Sequence, residues 1–202
     1  MNWDEAIIAL GGTPAPTDLE KRYAEPRRRY HGTAHVRQVV RDAVALTDGR
    51  DRALVALAAW AHDVVYDGHP GDDERASAAW ARKHLTTAGL AEPDVTRVEG
   101  LVLATLDHTA PPGDHPAQAL LDADLAILAA TPEDYERYRQ AVRAEYAHVP
   151  DDAWRVGRAE VLRSLLAKTP LYRLAHDWEP AARKNLTAEL ATLTAPKAAA
   201  GA

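Results

Sequence analysis

Apolar positions recur along the chain at helical spacing, and the strict alternation of a half-buried strand is missing. Ala, Leu, Arg and Glu dominate, and all four favour helix. Gly, Pro and capping residues punctuate the pattern and set the helix ends. Asn2 to Leu10 reads as a short helix stopped by Gly11-Gly12, and Thr17 caps a second from Asp18 to about Ala24, ended by Pro26. Thr33 to Thr47 follows, closed by Gly49, and Asp51 opens a helix to about Val65. The next runs from Asp72 or Asp73 to near Gly89, and another from Pro93 to about His108. After the break Pro111-Pro112-Gly113 comes a helix from Pro116 to Ala130. Thr131-Pro132-Glu133 caps one that reaches about His148, and Asp151 to Lys168 and Pro180 to Leu193 complete the set. The fold class is therefore all-α, a single helical bundle over residues 1–195, with residues 196–202 as a disordered tail.

The polar residues that break the apolar faces carry the chemical signal. Between Ala53 and Ala61 the fourth long segment has no polar face, which marks a helix buried on all sides. His62-Asp63 follows directly. For that pair alone a helix-end cap is the simpler reading, but a buried carboxylate needs a partner or a metal. The helix from Thr33 has an ordinary stripe of Val36, Val39, Val40, Ala43 and Leu46, with His35 at its edge, facing a cleft. His31 lies one turn earlier, and no Glu follows it as a zinc-protease motif requires. From Pro116 onward, Asp124 projects inside the arc of Leu120, Leu121, Leu125, Ile127 and Leu128, while Asp122 projects toward the alanine side. Two imidazoles and two carboxylates, His35, His62, Asp63 and Asp124, then make a mixed nitrogen and oxygen site. It suits Mn²⁺, Fe²⁺, Co²⁺, Ni²⁺ or Zn²⁺ better than Ca²⁺. On an octahedral ion such a set leaves positions open for water and substrate, the layout of metal-assisted hydrolysis.

Composition narrows the classes further. The 202 residues are 47% hydrophobic and 27% charged, a globular composition. With no cysteine, disulfide scaffolds, thiolate zinc sites, iron–sulfur clusters and a cysteine nucleophile are excluded. A net charge of -6 disfavours binding to a nucleic-acid polymer. The start Met1-Asn2-Trp3-Asp4-Glu5 is acidic where a signal peptide is basic, and no apolar run spans a bilayer, so a cytoplasmic protein without a membrane partner is expected.

The order His35, His62-Asp63, Asp124 on a helical chain resembles the HD superfamily of metal-dependent phosphohydrolases. The likeness extends to Glu25-Pro26-x-Arg28-x-Tyr30-His31-x-x-x-His35, to Ala59-Trp60-Ala61-His62-Asp63-Val64-Val65-Tyr66-Asp67 and to Leu121-Asp122-Ala123-Asp124-Leu125. It continues through Tyr135-x-x-Tyr138-x-x-x-Val142-Arg143-x-Glu145-Tyr146 and Gly157-Arg158, and covers roughly residues 20–175. These motifs look like one bacterial subgroup described as predicted HD phosphohydrolases. The resemblance implies one HD domain with a divalent cation (Mn, Co, Fe, Ni, Zn or Mg). It would hydrolyse a phosphate ester of a nucleotide or another small phosphorylated metabolite; a homodimer is left open. Tyr30-His31-x-x-x-His35 is also similar to the opening motif of cyclic-nucleotide phosphodiesterases, which makes His31 the general acid and His35 a ligand. The competing classes are a metal- and nucleotide-binding signalling protein without turnover and an HD-type iron oxygenase.

The remaining candidates are weaker. Asp67 either orients the attacking water, binds a second ion or is a turn residue. Glu74 opens a helix, where the dipole favours an acid. His108 either caps a helix end or faces the pocket and substrate. Arg28, by the resemblance, holds a phosphate. Glu145 falls on the apolar side of its helix, and Arg158 is its expected partner.

Overall fold

Ten α-helices and two 3₁₀ turns make up all regular structure in the described residues, and none of these residues is in a strand. The computed structural model describes residues 1–195; the expected tail, 196–202, lies outside the described residues. The chain divides into two compact units, Met1–Leu125 and a second from Ala126 onward. The first holds α1 (Trp3–Ala9), α2 (Leu19–Tyr23), α3 (Thr33–Ala45), α4 (Asp51–Ala61), α5 (Asp72–Thr87), α6 (Glu92–Leu103) and α7 (His115–Asp124). A 3₁₀ segment, Leu125–Ala129, follows α7. The second unit holds α8 (Pro132–Glu145), α9 (Asp151–Ala167) and α10 (Glu179–Thr194), with a 3₁₀ turn at His176–Trp178 before α10. No helix among the described residues is long and apolar enough to cross a membrane.

The all-round apolar α4 is the axis of the first unit. Every side chain from Ala53 to Ala59 is buried, and α4 packs against α1, α3, α5, α6 and α7. Small residues on α4 let those neighbours approach closely, with Val36, Val39, Leu85, Val98, Leu101 and Leu120 filling the space around it. Local chemistry sets several helix ends. At α1 the Asn2 side chain accepts from the Glu5 amide at 2.8 Å while Glu5 accepts from the Asn2 amide at 2.8 Å. Thr17 accepts from the Leu19 amide at the start of α2.

Four helices stop earlier than the apolar pattern predicts: α7 ends at Asp124 and passes into the 3₁₀ segment, and at α4 and α8 an arginine takes up the carbonyls beyond the helix end. α4 ends at Ala61 and not at Val65, because the Arg28 guanidinium captures the carbonyls of Asp63 and Val64. α8 ends at Glu145, where Arg143 collects the carbonyls of Tyr146 and Val149. α6 ends at Leu103, and residues 104–108 form turns that finish on His108 with φ 51.

The second unit is organised around a buried ion pair. Arg158 on α9 donates to both carboxylate oxygens of Glu189 on α10, at 2.9 and 3.1 Å. Tyr135 donates to the same carboxylate at 2.5 Å, and Arg158 also donates to the Tyr138 hydroxyl. The apolar-side position of Glu145 predicts a pair with Arg158. The structure gives Arg158 to Glu189 instead, because α10 and not the end of α8 lies against α9 at that level. Burial opposes the Glu189 charge, but the Arg158 guanidinium outweighs it and holds the carboxyl below its ordinary range. Removing one partner of a buried pair leaves the other uncompensated, so Glu189→Ala is expected to cost about 3–5 kcal/mol in denaturant unfolding. A double replacement, Arg158→Met with Glu189→Leu, is expected to recover most of that loss.

Candidate metal centre

The end of α4, the first turns of α3 and the end of α7 meet inside the first unit, and each brings a side chain suited to a metal. α3 contributes His35, α4 ends at His62 with Asp63 after it, and Asp124 is the last residue of α7. Ligand atoms of His35, His62 and Asp124 all lie within 4.8 Å of one another. His35 Nε2 is 3.3 Å from Asp124 Oδ1 and 3.6 Å from Asp63 Oδ2. His62 Nε2 is 3.4 Å from Asp124 Oδ1 and 3.1 Å from Asp63 Oδ2. Despite this proximity neither Nε2 makes a hydrogen bond, and both atoms are fully buried. Two buried nitrogens aimed at two carboxylates without bonding them are unusual, since buried polar atoms are nearly always satisfied.

The spacing fits a common central ion. Ligand atoms about 2.1 Å from one ion lie about 3.0 Å apart at right angles and about 3.4 Å apart in a tetrahedron. The separations of His35 and His62 from Asp124, 3.3 and 3.4 Å, are of that size; Asp63 is close to both imidazoles but is not within 4.8 Å of all three of those ligand atoms at once. The tautomer fits as well. His62 Nδ1 is 2.8 Å from the Ala59 carbonyl, which can only accept, so Nδ1 carries the proton and Nε2 presents a lone pair. Burial alone would lower both imidazoles, but the Asp124 and Asp63 carboxylates outweigh it and hold His35 above, and His62 well above, their ordinary values. Burial would raise the two carboxylates, yet the facing imidazoles, His62 foremost, keep Asp63 and Asp124 well below the carboxylate range.

No protein-family model, no curated protein and no solved structure matches this chain.

The other sequence candidates fall in three groups. His31 is beside the cluster: its ring is 5.5 Å from that of His35 and stacks on Tyr66 at 4.3 Å. His108 also joins it, with Nε2 3.0 Å from Asp124 Oδ2. Asp67 stands at the surface, 55% exposed, in an ion pair with Arg27 at 2.7 Å. Glu74 accepts from the Gly71 amide at the start of α5, the helix-end role the sequence favoured. Glu145, at the end of α8, belongs with Arg158 to the second unit.

Arg28 and Asp122 are placed differently from their expectations. The Arg28 side chain is only 1% exposed and donates to the carbonyls of His31, Asp63 and Val64. Its guanidinium also lies over the rings of Tyr23 and Tyr66. Arg28 thus joins the His31 turn to the His62-Asp63 turn: its terminal nitrogens face backbone oxygens and its Nε the Glu25 carboxylate, so it is engaged within the chain where a phosphate was expected. Asp122 is 1% exposed and as inward as Asp124, because α7 is covered by both α3 and α4. What distinguishes Asp124 is that it faces His35, His62 and His108.

Two residues missed in the sequence shape the rim. Asp73 accepts from the amides of Asp67, Gly68 and His69 at 2.8–3.0 Å and fixes the loop after Asp63. The Asp72-Asp73 pair opening a helix was the available signal for it. Tyr66 holds the His31 ring by stacking, and nothing in the local pattern distinguishes it from an ordinary turn tyrosine.

If Asp124 is the aspartate of α7 that meets the metal, Asp124→Ala is expected to abolish tight Mn²⁺ or Co²⁺ binding in calorimetric titration. Asp122→Asn, which preserves volume at the buried neighbour, is expected to retain it. The reverse pattern would exchange the two assignments.

Proposed function

We propose that this protein is a metal-dependent phosphohydrolase of the HD type, acting on a nucleotide or another small phosphorylated metabolite. The observation that carries the reading is the pair of buried, unbonded Nε2 atoms of His35 and His62 facing the carboxylates of Asp63 and Asp124. Those residues occur in the order of the HD motif, and His35, His62, Asp63 and Asp124 would hold one divalent cation. When bound, that ion supplies Lewis acidity toward water and a phosphoryl oxygen and offsets the repulsion between an acidic chain and an anionic substrate.

The chain's own residues account for the rest. The His62 Nδ1–H on the Ala59 carbonyl fixes which nitrogen faces inward. Arg28 fixes the two turns relative to each other. His31, half-buried and held against Tyr66, is placed to give a proton to the leaving oxygen. Asp67, tied to Arg27 and to the Asp73-braced loop, lies toward solvent.

The test is a panel of nucleotides and simple phosphate esters with added Mn²⁺, Co²⁺ or Mg²⁺. Metal-dependent release of phosphate or of a nucleoside phosphate that disappears in Asp124→Ala supports the reading. Tight binding of metal and nucleotide without turnover of any ester would replace it with a binding protein. His31→Ala is expected to keep the metal and lose turnover by roughly 10²–10⁴-fold, with a smaller loss on a nitrophenyl ester whose leaving group hardly needs a proton.

A further inference from the structure

His108 stands out on backbone grounds before its side chain is considered. Every other positive-φ position among the described residues is a glycine: Gly11, Gly49, Gly68, Gly71, Gly89 and Gly113. At φ 51 a side chain crowds its own backbone, so a histidine there carries a conformational cost that glycine would not. Such a residue persists when its surroundings hold it, and held residues of this kind concentrate at functional sites.

The imidazole shows what the strained turn accomplishes. Its Nε2 lies 3.0 Å from Oδ2 of Asp124, while Oδ1 of the same carboxylate faces His35 and His62 at 3.3 and 3.4 Å. The two oxygens of Asp124 are thus divided between different partners. An ionised carboxylate only accepts, so Nε2 of His108 is the donor. The terminal torsion of an aspartate is broad and sets no orientation by itself. Asp124 also ends α7, where the backbone passes into a 3₁₀ turn.

We propose that His108 is a positioning residue that fixes the rotation of the Asp124 carboxylate and so presents Oδ1 to the site formed with His35 and His62. The inference rests on the metal reading of that site. It differs from the expectation that His108 contacts substrate, because it assigns the Nε2 contact to a candidate ligand of the ion. Partners that orient a ligand in this way typically contribute 10–100-fold to metal affinity.

Three proteins test it: the wild type, His108→Gly, which keeps the left-handed backbone and removes the ring, and His108→Gln, whose amide can reach the place of Nε2. Mn²⁺ affinity by calorimetric titration and the unfolding midpoint of the metal-free chain are read for each, with the visible spectrum of the Co²⁺ form as a report on ligand geometry. The expected result for His108→Gly is an unfolding midpoint no lower than that of the wild type, a 10–100-fold weaker Mn²⁺ affinity and altered Co²⁺ bands. His108→Gln is expected to restore most of the affinity. Unchanged affinity and spectrum in His108→Gly would overturn the positioning role alone. Loss of one whole bound equivalent of Mn²⁺, with the affinity of the remainder unchanged, would make His108 a ligand of a second ion and also overturn it. A wild-type chain that takes up neither ion would overturn the metal reading and the positioning role together.

Discussion

The buried Arg28 guanidinium is the constraint on which the rest of the site depends. α4 is apolar on every side and cannot continue into the loop without leaving carbonyls unsatisfied in the interior. Arg28 accepts that burden by donating to Asp63 and Val64, and it donates to the His31 carbonyl as well. One side chain therefore terminates the central helix and fixes the turn before α3 against the turn after α4. A guanidinium suits this task because its donors diverge in a plane and can reach several carbonyls at once. The aromatic rings of Tyr23 and Tyr66 on which it lies compensate further for its removal from water.

From that junction the arrangement of charge follows. His62 is oriented from behind by the Ala59 carbonyl, Asp124 by His108 on its outer oxygen, and His31 by the face of Tyr66. These three groups each have a fixed neighbour, the kind of support that holds a site's geometry. The second unit shows the contrasting use of buried charge. Arg158, Glu189, Tyr135 and Tyr138 satisfy one another there, while Arg139 Nε stays unbonded 3.6 Å from the same carboxylate.

Much of this was legible in the sequence, and the parts that were not share a cause. The all-round apolar stretch from Ala53 to Ala61 marked the central helix, and the edge position of His35 and the inward position of Asp124 anticipated the residues that meet. The end of α4 was placed four residues too late because the group that ends it, Arg28, comes from a distant turn. A run of three arginines shows no local difference among its members, so nothing reveals that the middle one folds inward. A single apolar arc on α7 points Asp122 toward the alanine side, whereas α7 has neighbours on two sides and that side is buried too. Glu189 went unnoticed because its partner is 31 residues away on another helix. Local periodicity fixes which residues form an element; it does not say which remote polar group meets its end.

The bond from His62 Nδ1 to the Ala59 carbonyl has one more consequence. An imidazole relays protons by taking one on one nitrogen and releasing another from the other nitrogen, which exchanges its tautomer. His62 cannot complete that cycle without breaking a buried bond and leaving a carbonyl bare. It is a fixed dipole, not a conduit. The partly exposed groups beside it, Asp63, Asp124, His31 and His108, are the ones that solvent can reach.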